Sequence, residues 1–140
     1  IVADLLGLPI ETASNLDEHS RKNVPFLNDG RTFEEKVAGV LSEPAELVFG
    51  DETGDEAYRR FARALEGAIA KHPTENLGVV SHGTVIALYV SRVCGLDGPR
   101  LWKRLGLPSF VVLAQEGTGL VEVVEDMMQV PWGSEAWPSH

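Results

Sequence analysis

The stretch Val79-Val80-Ser81-His82-Gly83-Thr84-Val85-Ile86 decides how the chain is read, because a histidine sits where one apolar run ends and a glycine opens the next. Leu77 to Val80 is apolar, of strand length and preceded by the turn-forming Thr74-Glu75-Asn76, which predicts a strand buried on both faces. Val85 to Val93 has the length and apolar spacing of a helix, and Gly95 is placed to end it. A buried strand feeding directly into a helix is the rhythm of an α/β fold. His82 then lies at the carboxyl end of a strand, in the crevice where open α/β sheets bind ligands. The helix beginning at Gly83 or Thr84 aims unpaired backbone N–H groups and the positive end of its dipole at the same spot, which suits phosphate, and Gly83 permits close approach. Spacing leaves a second account open, in which His82 fills a strand end with its ring nitrogens satisfied by neighbours.

Upstream, Ile1, Leu5, Leu6 and Leu8 share one helical face until Gly7 and Pro9 stop the pattern. Ile10 to Asn28 is rich in turn formers and reads as a long loop, the kind of segment that carries function. Thr32 and Glu35 have the spacing of a capping box for a helix through Phe33, Val37, Val40 and Leu41, a lid or outer layer that Pro44 closes. Acidic residues Asp51 to Asp55 lead through Glu56-Ala57-Tyr58 into a long amphipathic helix ending near Lys71, with Phe61, Leu65 and Ile69 as its buried stripe. His72 and Pro73 end it. Pro99 to Leu105 predicts one further short helix. Phe110 to Ala114 and Leu120 to Val124, separated by Gln115 to Gly119, predict an antiparallel hairpin. The tail from Met127 to His140 shows no periodicity, and no internal repeat or low-complexity linker is present.

At 140 residues one domain spanning 1–140 is expected, and a net charge of -9 argues against nucleic acid, whose phosphates need Lys and Arg partners. No apolar run approaches the roughly 20 residues of a membrane span, and no signal peptide is visible, so a cytoplasmic location without membrane association is expected. The one cysteine, Cys94, lies in an apolar run and is expected to pack as a small hydrophobe. His19 and His72 are expected at a loop rim and a helix end, and no spacing joins them into a metal site.

The order Leu16-Asp17-Glu18, then Gly50-Asp51-Glu52-Thr53 ahead of a helix carrying Arg60, then VVSHG resembles the histidine phosphatase superfamily, relatives of phosphoglycerate mutase. The resemblance runs from Leu6 to about Val124. It implies a three-layer α/β sandwich with a mostly parallel sheet and an antiparallel C-terminal hairpin. It also implies His82 as the second active-site histidine, hydrogen bonding to the transferred phosphoryl group, and Glu18 as the general acid. Gly83 and Arg21 are the expected phosphate contacts, Arg21 through its planar fork, although a solvated loop arginine is the plainer reading. The Glu52–Arg60 pair is expected to be structural, with Asp51 inserted relative to the family's Gly-Glu-Ser element. A small phosphorylated molecule is the implied partner, with no cofactor.

The family's nucleophile is the histidine of an Arg-His-Gly motif on the first strand, and that tripeptide occurs nowhere in these 140 residues. By analogy about fifty N-terminal residues, including a central strand, are missing. The bared edge would leave the chain unstable or paired with a second copy as a homodimer. Two explanations compete: the chain is part of a longer enzyme, which we prefer, or a degenerate, non-catalytic member acting in ligand binding or assembly. Phosphomonoester hydrolysis is the favoured activity and mutase-type phosphoryl transfer its neighbour. A serine hydrolase built on Ser81 is the weakest reading, since GxSxG is absent.

Overall fold

A computed structural model describes residues 2–25, 27–114 and 119–124. Its elements are α1 (Val2–Leu6), α2 (Gly30–Ser42), α3 (Gly54–Lys71), α4 (Gly83–Cys94), α5 (Gly98–Arg104), β1 (Phe110–Leu113) and β2 (Leu120–Val124). Helices and a small antiparallel sheet together are consistent with an α/β fold.

The helix ends show which local signals prevailed. α2 starts two residues before Thr32, because the Asp29 carboxylate accepts from the amides of both Arg31 and Thr32. Thr32 cannot act as the cap: its hydroxyl donates to Asp29 Oδ2 at 2.6 Å. Glu35 pairs with Arg31 instead, at 3.5 Å on the exposed face. The capping box lies on α3, where Thr53 Oγ1 accepts from the Glu56 amide at 3.1 Å and Glu56 Oε2 accepts from the Thr53 amide at 2.8 Å. α4 ends as its sequence predicts, on a left-handed Gly95 that lets the Leu96 amide return to the Ser91 carbonyl. Asp97 caps α5.

α4 organises the core. Val85, Ala87, Leu88, Tyr89 and Val90 are buried, so the helix is apolar around most of its circumference and is covered on several sides. α3 packs on it through Ala57, Phe61 and Ala62, with the Tyr58 and Tyr89 rings stacked 6.1 Å apart. α2, with Val37 and Val40 fully buried, and α5, through Leu101, close other sides. α2 is therefore a core contributor, where the sequence suggested an outer layer. Cys94 packs against this cluster, and burial pushes its thiol pKa up, as expected of a hydrophobe-like cysteine.

β1 and β2 form the antiparallel pair read from the sequence, with Phe110 opposite Val124 and Leu113 opposite Leu120. Opposing Leu113 to Leu120 shifts the register beside Val112 and leaves Val121 in a bulge. Residues 115–118 of the connecting loop lie outside the described residues, as does Ile1 of the first helical face.

Leu77 to Val80 departs from the sequence reading. Among the described residues the one sheet is the β1–β2 pair, and residues 77–80 are extended chain outside it. Far from being buried, Val80 is 95% exposed, with Leu77 and Val79 partly open. A strand is a pairing, and the apolar pattern that marks a candidate does not provide the neighbour. The parallel sheet expected around it is likewise not seen among the described residues. Leu5, Leu6, Leu8 and Ile10 are also exposed. No described helix is long and apolar enough to cross a membrane.

Thr53→Ala removes one half of the capping box and should lower stability by about 1 kcal/mol, read from denaturant or thermal unfolding. Thr32→Ala, which removes no cap, should cost less.

Candidate active site

The loop before α2 has no strand ladder to satisfy its backbone, and one side chain supplies much of what it lacks. Arg60, in the second turn of α3, donates to the carbonyls of Asn15, Asp17 and Glu18 at 3.1, 2.8 and 2.8 Å. The same guanidinium binds Glu52 in a fork, Nη2 to Oε1 at 2.6 Å and Nε to Oε2 at 3.0 Å. Burial raises the Glu52 pKa, but the Arg60 hydrogen bonds, the Ser20 amide and the Arg60 charge outweigh it and hold the carboxyl below its usual range. The hydrogen bonds to Glu52 hold Arg60 correspondingly upward despite its burial.

Glu52 also grips the loop directly. Its Oε1 accepts from the Ser20 amide at 2.7 Å, and its backbone carbonyl accepts from His19 Nε2 at 2.9 Å. Since a carbonyl accepts only, His19 Nε2 carries the proton and Nδ1 of the neutral ring is bare. Nδ1 is buried without a partner, and His19 is 2% exposed. Sequence reasoning put His19 at a rim; the structure makes it an internal fastener, and burial, ahead of every other influence, pushes its pKa down. Gly50 allows the close approach: with φ at +90°, a Cβ there would meet the Ser20 carbonyl oxygen at 2.1 Å. Ser81 completes the docking by donating its hydroxyl to the Leu16 carbonyl at 2.6 Å, which occupies it as a tether rather than as a nucleophile.

Fastened in this way, the loop delivers Glu18 to the start of α4. Glu18 Oε2 accepts from the Thr84 amide at 3.4 Å and faces Arg21 Nη2 at 3.4 Å, while Oε1 accepts from the His19 amide at 2.7 Å. His82 is the N-cap residue of α4, in extended backbone and without a side-chain capping bond, and it is exposed. Glu18, Ser81, His82, Gly83 and Thr84 line one concavity of about 480 Å³. Sixty-odd residues of sequence separate the acid from the histidine, and the fold brings them to the same wall.

Arg21 sits differently from the solvated alternative. Its guanidinium lies over Phe33 at 5.0 Å and Phe49 at 5.5 Å, and Nη2 donates to Thr84 Oγ1 at 2.9 Å. It lines a neighbouring hollow of about 280 Å³ with Val24, Pro25 and Leu27, and reaches the larger concavity through Thr84 and Glu18. His72 caps the end of α3 and faces Glu11 and Glu75. Among the described residues no group of three or more His, Cys, Asp or Glu is arranged to hold a metal ion.

This placement of an acid, an N-cap histidine and helix amides can be set beside known families. Residues 1–125 match the model of the histidine phosphatase superfamily, branch 1. The chain belongs to that superfamily. No curated protein and no solved structure matches it. Membership of this superfamily supports a phosphatase-like function in general terms. Sequence reasoning singled out Glu18, Arg21, His82 and Gly83, and treated Glu52–Arg60 as structural. It missed that His19 and Ser81 are the ties that aim Glu18, because both ties run to backbone carbonyls far off in sequence.

The pKa directions predict how the docking responds to acid. A His19 pKa lowered from 6.5 means the neutral ring is favoured by the fold, so its contribution is complete above about pH 6.5 and is lost as pH falls below it. The depressed Glu52 carboxyl contributes above its ordinary range and fails only at lower pH. Stability read from unfolding should therefore fall in two stages as pH drops, and His19→Gln should flatten the upper one.

Proposed function

We propose that the complete protein hydrolyses phosphate monoesters through a phosphohistidine intermediate, with this chain supplying the second histidine and the proton donor but not the nucleophile. The observation that carries the reading is the meeting of the Glu18 carboxyl, His82 and the first amides of α4 on one concavity, Glu18 Oε2 lying 3.4 Å from the Thr84 amide. Those amides and the α4 dipole favour an oxyanion, and His82 adds a donor where phosphoryl charge develops. In the first step a histidine nitrogen bonds to phosphorus as the ester P–O bond breaks, and Glu18 gives its proton to the departing oxygen. In the second, water attacks phosphorus, the N–P bond breaks, and Glu18 takes the proton back.

The nucleophile in this scheme comes from an Arg-His-Gly element, which these 140 residues do not contain. The three-layer sandwich with a mostly parallel sheet belongs to the same reading: residues 77–80 are extended, apolar and joined directly to α4, as a strand of such a sheet would be. The lack of the tripeptide also favours a second reading, in which the domain holds a phosphorylated ligand without turnover.

With the full-length protein, His82→Ala should lower kcat/KM for an aryl phosphate by about a hundredfold, the usual scale for a lost transition-state donor. Unchanged turnover would remove His82 from the mechanism, and phosphate binding without any hydrolysis would favour the second reading. Glu18→Gln should slow an alkyl phosphate far more than an aryl phosphate, because only the alkoxide needs a proton to leave. Equal losses would argue against Glu18 as the acid.

A further inference from the structure

The concavity has two unlike ends. Glu18, His82, Gly83 and Thr84 form the polar one at the start of α4, and Phe33, Trp102, Leu105 and Leu107 form the other. The apolar end abuts the first directly: Trp102 Nε1 lies 3.5 Å from the position a Cβ would take on Gly83, so the indole edge borders the α4 terminus. Phe33 and Trp102 make a continuous aromatic wall, their ring centroids 6.2 Å apart and tilted by 55°. Leu107, at the lip, is 95% exposed, a large apolar side chain presented to solvent with nothing on it.

Charge narrows what this end accepts. Among its described lining residues Lys103 is the one lysine or arginine, and Glu34 shares the wall with it. A second phosphate would need a cluster of cations and would instead meet a carboxylate. A polyol would need several fixed donors and acceptors, and four of the side chains there are hydrocarbon or indole. A flat apolar group loses nothing by leaving water and gains both the aromatic wall and Leu107. At about 480 Å³ the concavity lies within the usual range of ligand pockets and has room for a phosphoryl group and a ring beside it.

We propose that this site selects phosphate monoesters whose alcohol portion is an apolar, ring-sized group, held against Trp102 and Leu107, in preference to sugar phosphates, glycerol phosphates or bisphosphates. The inference rests on the phosphomonoesterase reading and names its substrate class. Phosphorus at the α4 terminus places the ester oxygen beneath Glu18 and the organic group on the aromatic wall.

Phosphonates, which are not hydrolysed, separate binding from turnover. Titrations of the full-length protein with inorganic phosphate, 2-hydroxyethylphosphonate and 1-naphthylmethylphosphonate should give the naphthyl compound an advantage of about tenfold or more over the hydroxyethyl one, the scale of burying one apolar group. Leu107→Ser, at a position too exposed to affect folding, should cut that ratio to about threefold or less, and Trp102→Phe should reduce it in part. Equal affinity for the two phosphonates, or a ratio untouched in both variants, overturns the proposal while phosphate binding leaves the underlying reading standing. Failure of all three probes to bind overturns both.

Discussion

The candidate site depends on a guanidinium that lies outside its concavity. Arg60 divides its donors between the Glu52 carboxylate and three loop carbonyls, those of Asn15, Asp17 and Glu18. A loop without a ladder has few donors of its own for its carbonyls, and Arg60 holds three of them at fixed places. A planar fork with five N–H groups can serve a carboxylate and several carbonyls at once, whereas the ammonium of lysine has three hydrogens at a single point. Glu52 passes the hold onward through the Ser20 amide and the His19 ring. The orientation of Glu18 is therefore set by an ion pair to which Glu18 does not belong.

The two halves of the site are held by different physics. α4 is fixed by hydrophobic burial between α3, α5 and α2, which carries no charge for salt to screen and no proton to lose. The loop is fixed by charge and hydrogen bonds, partly buried and so only partly screened. Arg21 links them: its cation rests between Phe33 and Phe49, and its Nη2 reaches Thr84 at the head of α4. Similar use of arginine recurs at the far side of the core, where Arg92 lies over Tyr58 and pairs with Asp55.

Local chemistry in the chain foretold local structure. Gly95, Pro44 and the β-branched runs around residues 110–124 marked ends and strands where they occur. Thr32 had the pattern of a cap and Asp29 is the cap, an outcome that turned on which oxygen accepted and which hydroxyl donated. Residues 77–80 had every local mark of a buried strand, yet burial and pairing are supplied by other segments and leave no trace in the run itself. The same holds for His19 and Ser81, whose partners at Glu52 and Leu16 lie 33 and 65 residues away. His82 stood out by its place between an apolar run and a helix start, and Glu18 only through the resemblance carried by Leu16-Asp17-Glu18; the fold brings both to one concavity.

One contact at the head of α4 joins the loop to the helix. Glu18 Oε2 rests on the Thr84 amide and beside Arg21, so that amide already has an acceptor within the chain. Loop and helix are thereby stitched together at the very residue the loop presents, so the pose of Glu18 and the start of α4 are set jointly.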